Sequence, residues 1–242
     1  CPESVPKGPT RFRMATMRRL ALFDLDHTLL PIDSDNEWGR FLCRTGRVPD
    51  EAAFNAAIDA FYAQYKKGQL DPVEHLRFAL GAFAHRPMAE IEGWRQEYID
   101  QVIRPVISQS ALDLVARHRN AGDLCAIVTA TNAFVPRPIA GLFGVEHLLG
   151  AEGEIRDGRY TGEPEGVITY RAGKLLRIDA WLKDMGLSRD SFDEIWAYSD
   201  SHNDLPMLEL ATHPVATNPD TILRQTAGAR GWPVIELFPL VG

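Results

Sequence analysis

The chain first becomes regular at Arg19-Leu20-Ala21-Leu22-Phe23-Asp24-Leu25, an apolar run of strand length that stops at a carboxylate. Unbroken apolar runs of this kind are typical of strands buried on both faces of a parallel sheet. The next one, Leu124-Cys125-Ala126-Ile127-Val128 ending at Thr129, follows only about 100 residues later, whereas a plain strand-helix-strand unit needs about 30. The intervening stretch reads as helix. Segments 35–45, 50–67, 72–84 and 88–102 space their apolar residues by three and four, with Asp50 and Asp71-Pro72 as starts and Gly46 and Gly68 as stops. The pattern predicts an all-helical insertion between the first two strands.

Downstream, 110–120 reads as a helix ending at Gly122, another helix lies near 133–143, and Asp157-Gly158 marks a hairpin within 152–162. An amphipathic helix spans 171–185 and stops at Gly186; Glu194-Ile195-Trp196-Ala197-Tyr198 is a third buried strand. A helix at 205–210 and short strands near 213–216 and 233–236 complete the pattern. Alternation of this kind implies an α/β fold, a doubly wound parallel sheet with the helical insertion as a cap. The expected division is a core of 18–30 plus 106–242 and a cap of 31–105. Residues 1–17 start without Met, hold three prolines with Lys7, Arg11 and Arg13, and lack the apolar stretch of a signal peptide. They read as disordered or extraneous, with Met14 or Met17 as the initiator.

Composition narrows the function classes. Hydrophobic residues at 45% and charged residues at 24% are ordinary for a globular fold. The longest stretch free of charged residues, 124–136, falls short of the ~18 apolar residues of a membrane span, so no membrane partner is expected. With 26 basic against 33 acidic residues, the net charge of -7 disfavours nucleic acid as a partner. Cys43 and Cys125 sit in apolar patterns without CxxC spacing and read as reduced thiols, which suggests a cytoplasmic protein. Oligomeric state is not legible.

Chemistry in open α/β sheets gathers outside the carboxyl ends of the strands. Here those ends carry Asp24-Leu25-Asp26-His27-Thr28, Thr129-Ala130-Thr131-Asn132 and Ser199-Asp200-Ser201-His202-Asn203-Asp204. Two acidic clusters brought to one edge can hold a hard divalent cation through oxygen ligands, with Mg²⁺ the obvious candidate. Taken alone, Asp24 and Asp26 have a second, weaker reading as a turn or helix-cap pair, which the agreement of all three strand ends sets aside. A calcium loop fails, because Leu29 stands where its sharp-turn glycine belongs.

These residues resemble the haloacid dehalogenase superfamily, specifically its phosphatase branch with a helical cap after the first strand, the group of phosphoserine and histidinol-phosphate phosphatases. The resemblance runs from about Leu20 to Ala216, and Phe23-Asp24-Leu25-Asp26-His27-Thr28 matches the family's DxDxT signature. It implies a Rossmann-like core, Asp24 as nucleophile and Asp26 as general acid and base. It further implies Thr129 as the hydroxyl of the second motif, Lys174 as the third-motif lysine, and Asp24, Asp26, Asp200 and Asp204 as the Mg²⁺ set. Thr28, Asp33, Ala130 and Asn203 are the expected substrate contacts, with a small phosphorylated metabolite such as phosphoserine or histidinol phosphate as partner. Two departures stand out: Ala130 and Thr131 replace glycines of the second motif, and Ser199 replaces a glycine before Asp200.

An aspartyl carboxylate that attacks phosphorus splits hydrolysis into two easier steps, and a second carboxyl can protonate the leaving oxygen and then activate water. A phosphotransferase using the same aspartyl-phosphate, and a receiver-like phospho-acceptor domain without enzymatic activity, are the alternatives. His27 and His202 read as solvated loop residues, and Arg40, Arg44 and Arg47 as solvated helix arginines. Trp38, Phe41 and Phe61 read as cap core.

Overall fold

The computed structural model describes residues 18–238; the expectation for 1–17 lies outside them. β1 (Arg19–Phe23) is the centre of a seven-stranded sheet. It lies between β2 (Leu124–Asn132) and β5 (Glu194–Ser199), parallel to both. β3 (His147–Arg156) pairs parallel with β2, and β4 (Arg159–Glu165) closes that edge antiparallel. β6 (His213–Thr217) and β7 (Val234–Ile235) extend the other side in parallel. The sheet order β4-β3-β2-β1-β5-β6-β7 reverses direction at β1, so the crevice beyond Phe23 is the topological switch point where ligands bind in such sheets.

The unbroken apolar character of β1 follows from its two buried faces. Ala21 and Phe23 enter one core cluster and Leu20 and Leu22 the other, as the two-residue period of a strand requires. Between β1 and β2 lie α1 (Ser34–Arg44), α2 (Glu51–Lys66), α3 (Pro72–Gly81) and α4 (Met88–Tyr98). Asp33, Asp50 and Asp71 cap the first three through their carboxylates. The expected helix 88–102 changes after Tyr98 into a wider π turn, Ile99–Ile103, ahead of Arg104-Pro105. The apolar cluster of this insertion is continuous with that of the sheet: Trp38, Phe83, Phe134 and Tyr160 form edge-on and tilted ring contacts across the junction.

The remaining helices are α5 (Gln109–Asn120), α6 (Pro136–Leu142), α7 (Ala172–Asp184), α8 (Leu205–Leu210) and α9 (Thr221–Arg230). The Asp157-Gly158 hairpin forms as expected, with φ of 52° and 71° placing both residues in the left-handed region that a tight two-residue turn needs. The sequence reading did not find α9 or the first half of β3. Cys43 and Cys125 are free and buried. His118 is buried in a chain, Asp123 to its Nδ1 at 2.7 Å and Tyr198 to its Nε2 at 2.8 Å, that ties α5 to β5. Among the described residues no helix is long and apolar enough to cross a membrane.

Gly173, in the first turn of α7, packs so tightly that an added Cβ would lie 2.0 Å from the carbonyl oxygen of Ile168. Gly173→Ala is therefore expected to destabilise the protein by about 1–3 kcal/mol, the usual cost of overpacking. Thermal unfolding checks this, since each kcal/mol lowers the melting temperature by roughly 2–4 °C at this chain length.

Candidate active site

Asp24 is the first residue past β1, and its backbone N–H donates to the Tyr198 carbonyl at 2.9 Å, which extends the β1-β5 pairing to the strand end. Its Oδ1 accepts from Lys174 Nζ at 2.7 Å, and its Oδ2 accepts from Thr28 Oγ1 at 3.2 Å. Lys174 also donates to Asp204 Oδ2 at 2.5 Å, and Ser199 Oγ donates to that same oxygen at 2.8 Å. Burial opposes the charge on Lys174, but Asp204 and Asp24 more than offset it and hold its pKa above the ordinary lysine value. Thr28 Oγ1 also lies 3.2 Å from Asp200 Oδ1 and accepts from the Asp200 N–H at 2.9 Å. After Asp26 the chain turns back through His27 in the left-handed region, φ 58°, and Asn218 Nδ2 holds the His27 carbonyl at 2.9 Å. That reversal puts Thr28 under the strand end.

Asp26 lines the same cavity as Asp24. Its Oδ1 accepts from the Ser34 N–H and its Oδ2 from Thr131 Oγ1, both at 2.7 Å. Burial first, and then the charge of Asp33, push its pKa up to about 6 despite these donors. Asp33 is raised to about 6 by burial, with Asp35 adding to the rise. Asp35 is raised to about 7, by burial and then by Asp26.

These groups meet around a cavity of about 70 Å³ lined by Asp24, Asp26, Asp33, Asp35, Asp204, Lys174, Thr129 and Ala130, with Thr131. Phe61, Tyr62, Tyr65 and His75 supply its cap-side wall. Phe61 is therefore half-buried cavity wall, whereas Trp38 and Phe41 are core as expected. Asp33 reaches the cavity, but its Oδ1 caps the Asp35 and Asn36 N–H groups at 3.1 and 2.8 Å, and its Oδ2 accepts from Asn36 Nδ2 at 2.8 Å. Its carboxylate is engaged as a helix cap.

Thr28 is fully buried behind Asp24 and is not part of the lining. Asp200 and Asn203 line a neighbouring groove of about 770 Å³ instead. Asn203 Oδ1 is occupied by Arg171 Nε at 3.0 Å and Tyr170 Oη at 3.2 Å. His27 and His202 are half-buried rather than solvated, and His202 Nδ1 lies 2.8 Å from Asp220 Oδ2. Arg40 pairs with Asp59 at 2.6 Å on the cap surface, whereas Arg47, past the end of α1, is half-buried over the Phe41 and Trp94 rings and pairs with Glu97 at 2.6 Å, so it is not the solvated helix arginine expected.

Several site residues escaped the sequence reading. Thr131 was visible only as a departure from a glycine, yet it anchors Asp26. Arg171, itself at φ 50°, donates to the Gly68 carbonyl at 2.8 Å and joins the end of α2 to the core. Tyr65 Oη donates to Ser201 Oγ at 3.1 Å across the same junction. No local pattern marks these, because their partners lie far away in sequence.

Two buried carboxylates, Asp24 and Asp204, share one ammonium, Lys174, and the half-buried Asp200, bonded to Thr28, has no cation paired with it among the described residues. Burial and then the charges of Asp24 and Asp204 drive the Asp200 pKa well above the carboxylate range. Among the described residues no three acidic, histidine or cysteine side chains already converge as a metal cage. The all-oxygen donor set with uncompensated negative charge nevertheless fits a hard divalent cation.

Residues 21–209 match the model of the haloacid dehalogenase-like hydrolases. The chain belongs to the haloacid dehalogenase-like hydrolase family. A histidinol-phosphatase of Neisseria meningitidis serogroup C (strain 8013) is 39% identical over 221 residues, covering 91% of this chain and 99% of its own. A phosphoserine phosphatase of Mycobacterium tuberculosis (strain ATCC 25618 / H37Rv) is 33% identical over 216 residues, covering 88% of this chain and 69% of its own. A solved protein of unknown function from Bordetella pertussis Tohama I matches with TM-score 0.88 at 51% identity, covering 92% and 100% of the two chains. A phosphoserine phosphatase solved as a phospho-aspartyl intermediate analogue matches with TM-score 0.63 at 18% identity, covering 92% and 94%, a likeness of fold alone. The protein is thus a phosphatase of the haloacid dehalogenase-like family.

Two predictions follow from the carboxylates of this family member. Thr131→Val removes a hydrogen bond that lowers the Asp26 pKa. The pH profile of phosphate release should shift to higher pH and its maximum should fall, by roughly 10-fold, the worth of a charge-assisted hydrogen bond. Asp35→Asn keeps an acceptor for Asn132 Nδ2, which bonds Asp35 Oδ1 at 2.7 Å, but abolishes the titration. A carboxyl raised on folding contributes stability that is complete below its ordinary value of 3.8 and lost as pH rises through about 7. The melting temperature of the variant relative to the parent should therefore rise between about pH 5 and about pH 8.

Proposed function

We propose that the protein is a Mg²⁺-dependent phosphomonoesterase that acts on a small metabolite through an aspartyl-phosphate on Asp24. The observation that carries this reading is the pairing at the cavity floor: Asp24 held at 2.7 Å by a buried lysine, with Asp26, raised to about 6, beside it. A carboxylate so fixed is a positioned nucleophile, and a neighbouring carboxyl with a pKa near neutrality suits proton transfer in both directions.

In the first step an Asp24 oxygen forms a bond to phosphorus, the bond from phosphorus to the ester oxygen breaks, and Asp26 gives its proton to the departing alcohol. In the second step Asp26 takes a proton from water as that water attacks phosphorus. Inorganic phosphate leaves and the Asp24 carboxylate is restored. Lys174 holds Asp24 in place and places positive charge beside the transferring group, while the Thr129 hydroxyl lies in the same cavity wall. Thr131 and the Ser34 N–H orient Asp26. Asp24, Asp200, Asp204 and the backbone carbonyl of Asp26 would hold Mg²⁺, which when bound supplies further positive charge to the phosphoryl group.

The two substrates named by relatives, histidinol phosphate and phosphoserine, are the first candidates. Asp24→Asn preserves volume and removes the nucleophile, so phosphate release should fall by about 10⁴-fold or more, with the fold intact by circular dichroism. Excess chelator should abolish activity and added Mg²⁺ restore it. Near-parental release by Asp24→Asn would sink the covalent mechanism, and full activity in chelator would sink the metal dependence.

A further inference from the structure

With Asp24 as the nucleophile, the cavity wall away from it must receive the leaving group, and the chemistry of that wall is selective. Five carboxylates line the cavity, and Lys174 is the sole permanent cation among its described lining residues. That ammonium is already committed to Asp24 and Asp204. Arg171, the nearest guanidinium to this end of α7, is bonded to the Gly68 carbonyl and Asn203 and is not part of the lining. A carboxylate on the leaving group would therefore enter a field of like charge with no counter-ion, which is unfavourable.

The carboxylates differ in what they have left to offer. Asp33 and Asp26 have both oxygens occupied by α1, Ser34 and Thr131. The Asp35 side chain is only 8% exposed, and its Oδ1 accepts from Asn132, but its Oδ2 has only His75 Nε2 nearby, at 3.6 Å. That separation is too long for a hydrogen bond. Next to it, the Oδ1 of Asn132 is buried without a donor. Asp35, unlike Asn132, lines the cavity, so its Oδ2 is the acceptor that a ligand's donor can complete. The His75 ring, edge-on to Phe61 with centroids 5.3 Å apart, gives the cavity an aromatic corner whose polar edge, Nε2, lies beside Asp35 Oδ2.

We propose that Asp35 and His75 form the leaving-group subsite, Asp35 Oδ2 taking a cationic amine and the aromatic corner of His75 and Phe61 taking a flat nitrogen-bearing ring. The preferred substrate is then the phosphate monoester of an aromatic amino alcohol without a carboxylate. This deepens the phosphatase reading and depends on it. Between the two candidate substrates, it selects histidinol phosphate and rejects phosphoserine.

The test compares four monoesters under saturating Mg²⁺: histidinol phosphate, ethanolamine phosphate, phosphoserine and 4-nitrophenyl phosphate. The expected kcat/KM falls from histidinol phosphate to ethanolamine phosphate to phosphoserine, the last two differing only in the carboxylate. Asp35→Asn should lower kcat/KM for the two amino-alcohol esters by roughly 10- to 100-fold, chiefly through KM, and far more than for 4-nitrophenyl phosphate. His75→Phe keeps the ring and removes the nitrogens, and should affect histidinol phosphate more than ethanolamine phosphate. Calorimetric binding of histidinol, which carries no phosphate, reads the subsite without turnover and should weaken in Asp35→Asn by a similar factor. Equal histidinol affinity in parent and variant, phosphoserine hydrolysed as well as ethanolamine phosphate, or equal losses on all four esters would overturn the subsite while leaving the phosphatase intact. Failure to hydrolyse any of the four, with histidinol binding still dependent on Asp35, would instead count against the phosphatase reading.

Discussion

A lysine ammonium with only 2% of its side chain exposed lies 2.7 Å from one aspartate and 2.5 Å from another, and it joins three separate pieces of the chain. Desolvating a charge costs several kcal/mol, and the attraction repays it only if the geometry is tight and the remaining lone pairs are satisfied. Each piece is accordingly fixed. Asp24 is pinned to β5 by its backbone, Asp204 is held by Ser199, and Lys174 follows a first turn in which only glycine fits against Ile168. The register of β1 against β5, the start of α7 and the turn after β5 are therefore mutually dependent. The position of Asp26 is secondary to this arrangement, since it is set by Thr131 and Ser34 once β1 and β2 are aligned.

What could be read from the sequence was what depends on neighbours. β1, the caps of α1 to α3 and the Asp157-Gly158 turn each follow from a few adjacent residues, and the acidic strand ends follow from the rule that open sheets bind ligands there. What escaped were features set at a distance. The first half of β3 contains Gly150, which weakens its strand character, yet a side chain there would press on the Ala133 backbone at 3.0 Å. Helix α9 has a weak apolar stripe, interrupted by Gly228, and is started by the Asp220 cap, which bonds the Leu223 N–H at 2.7 Å. Asp33 and Asp35 look equivalent as acids at a helix start. Which of them keeps a free oxygen is decided by cap geometry and by Asn132, 97 residues away.

The acidic, aromatic cavity also shows how one set of residues serves two ends. Carboxylates crowded away from water repel each other, and burial raises Asp26, Asp33 and Asp35 together. The same crowding that weakens the fold at neutral pH supplies a proton donor beside Asp24 and an electrostatic preference for cations beyond it.

The ring contacts among Trp38, Phe83, Phe134 and Tyr160 join the inserted helices to the turn after β2 and to the β3-β4 hairpin in one continuous core. Leu80 of α3 even lies within 2.7 Å of where a Cβ on Gly153 would stand. The insertion is thus not an exchangeable module. A chimera that grafts residues 31–105 from a relative onto this core would leave Phe134, Tyr160 and Gly153 facing foreign side chains. Evolution of a new leaving-group preference by recombination would therefore have to carry the hairpin along with the helices, whereas point substitution inside the cavity faces no such constraint.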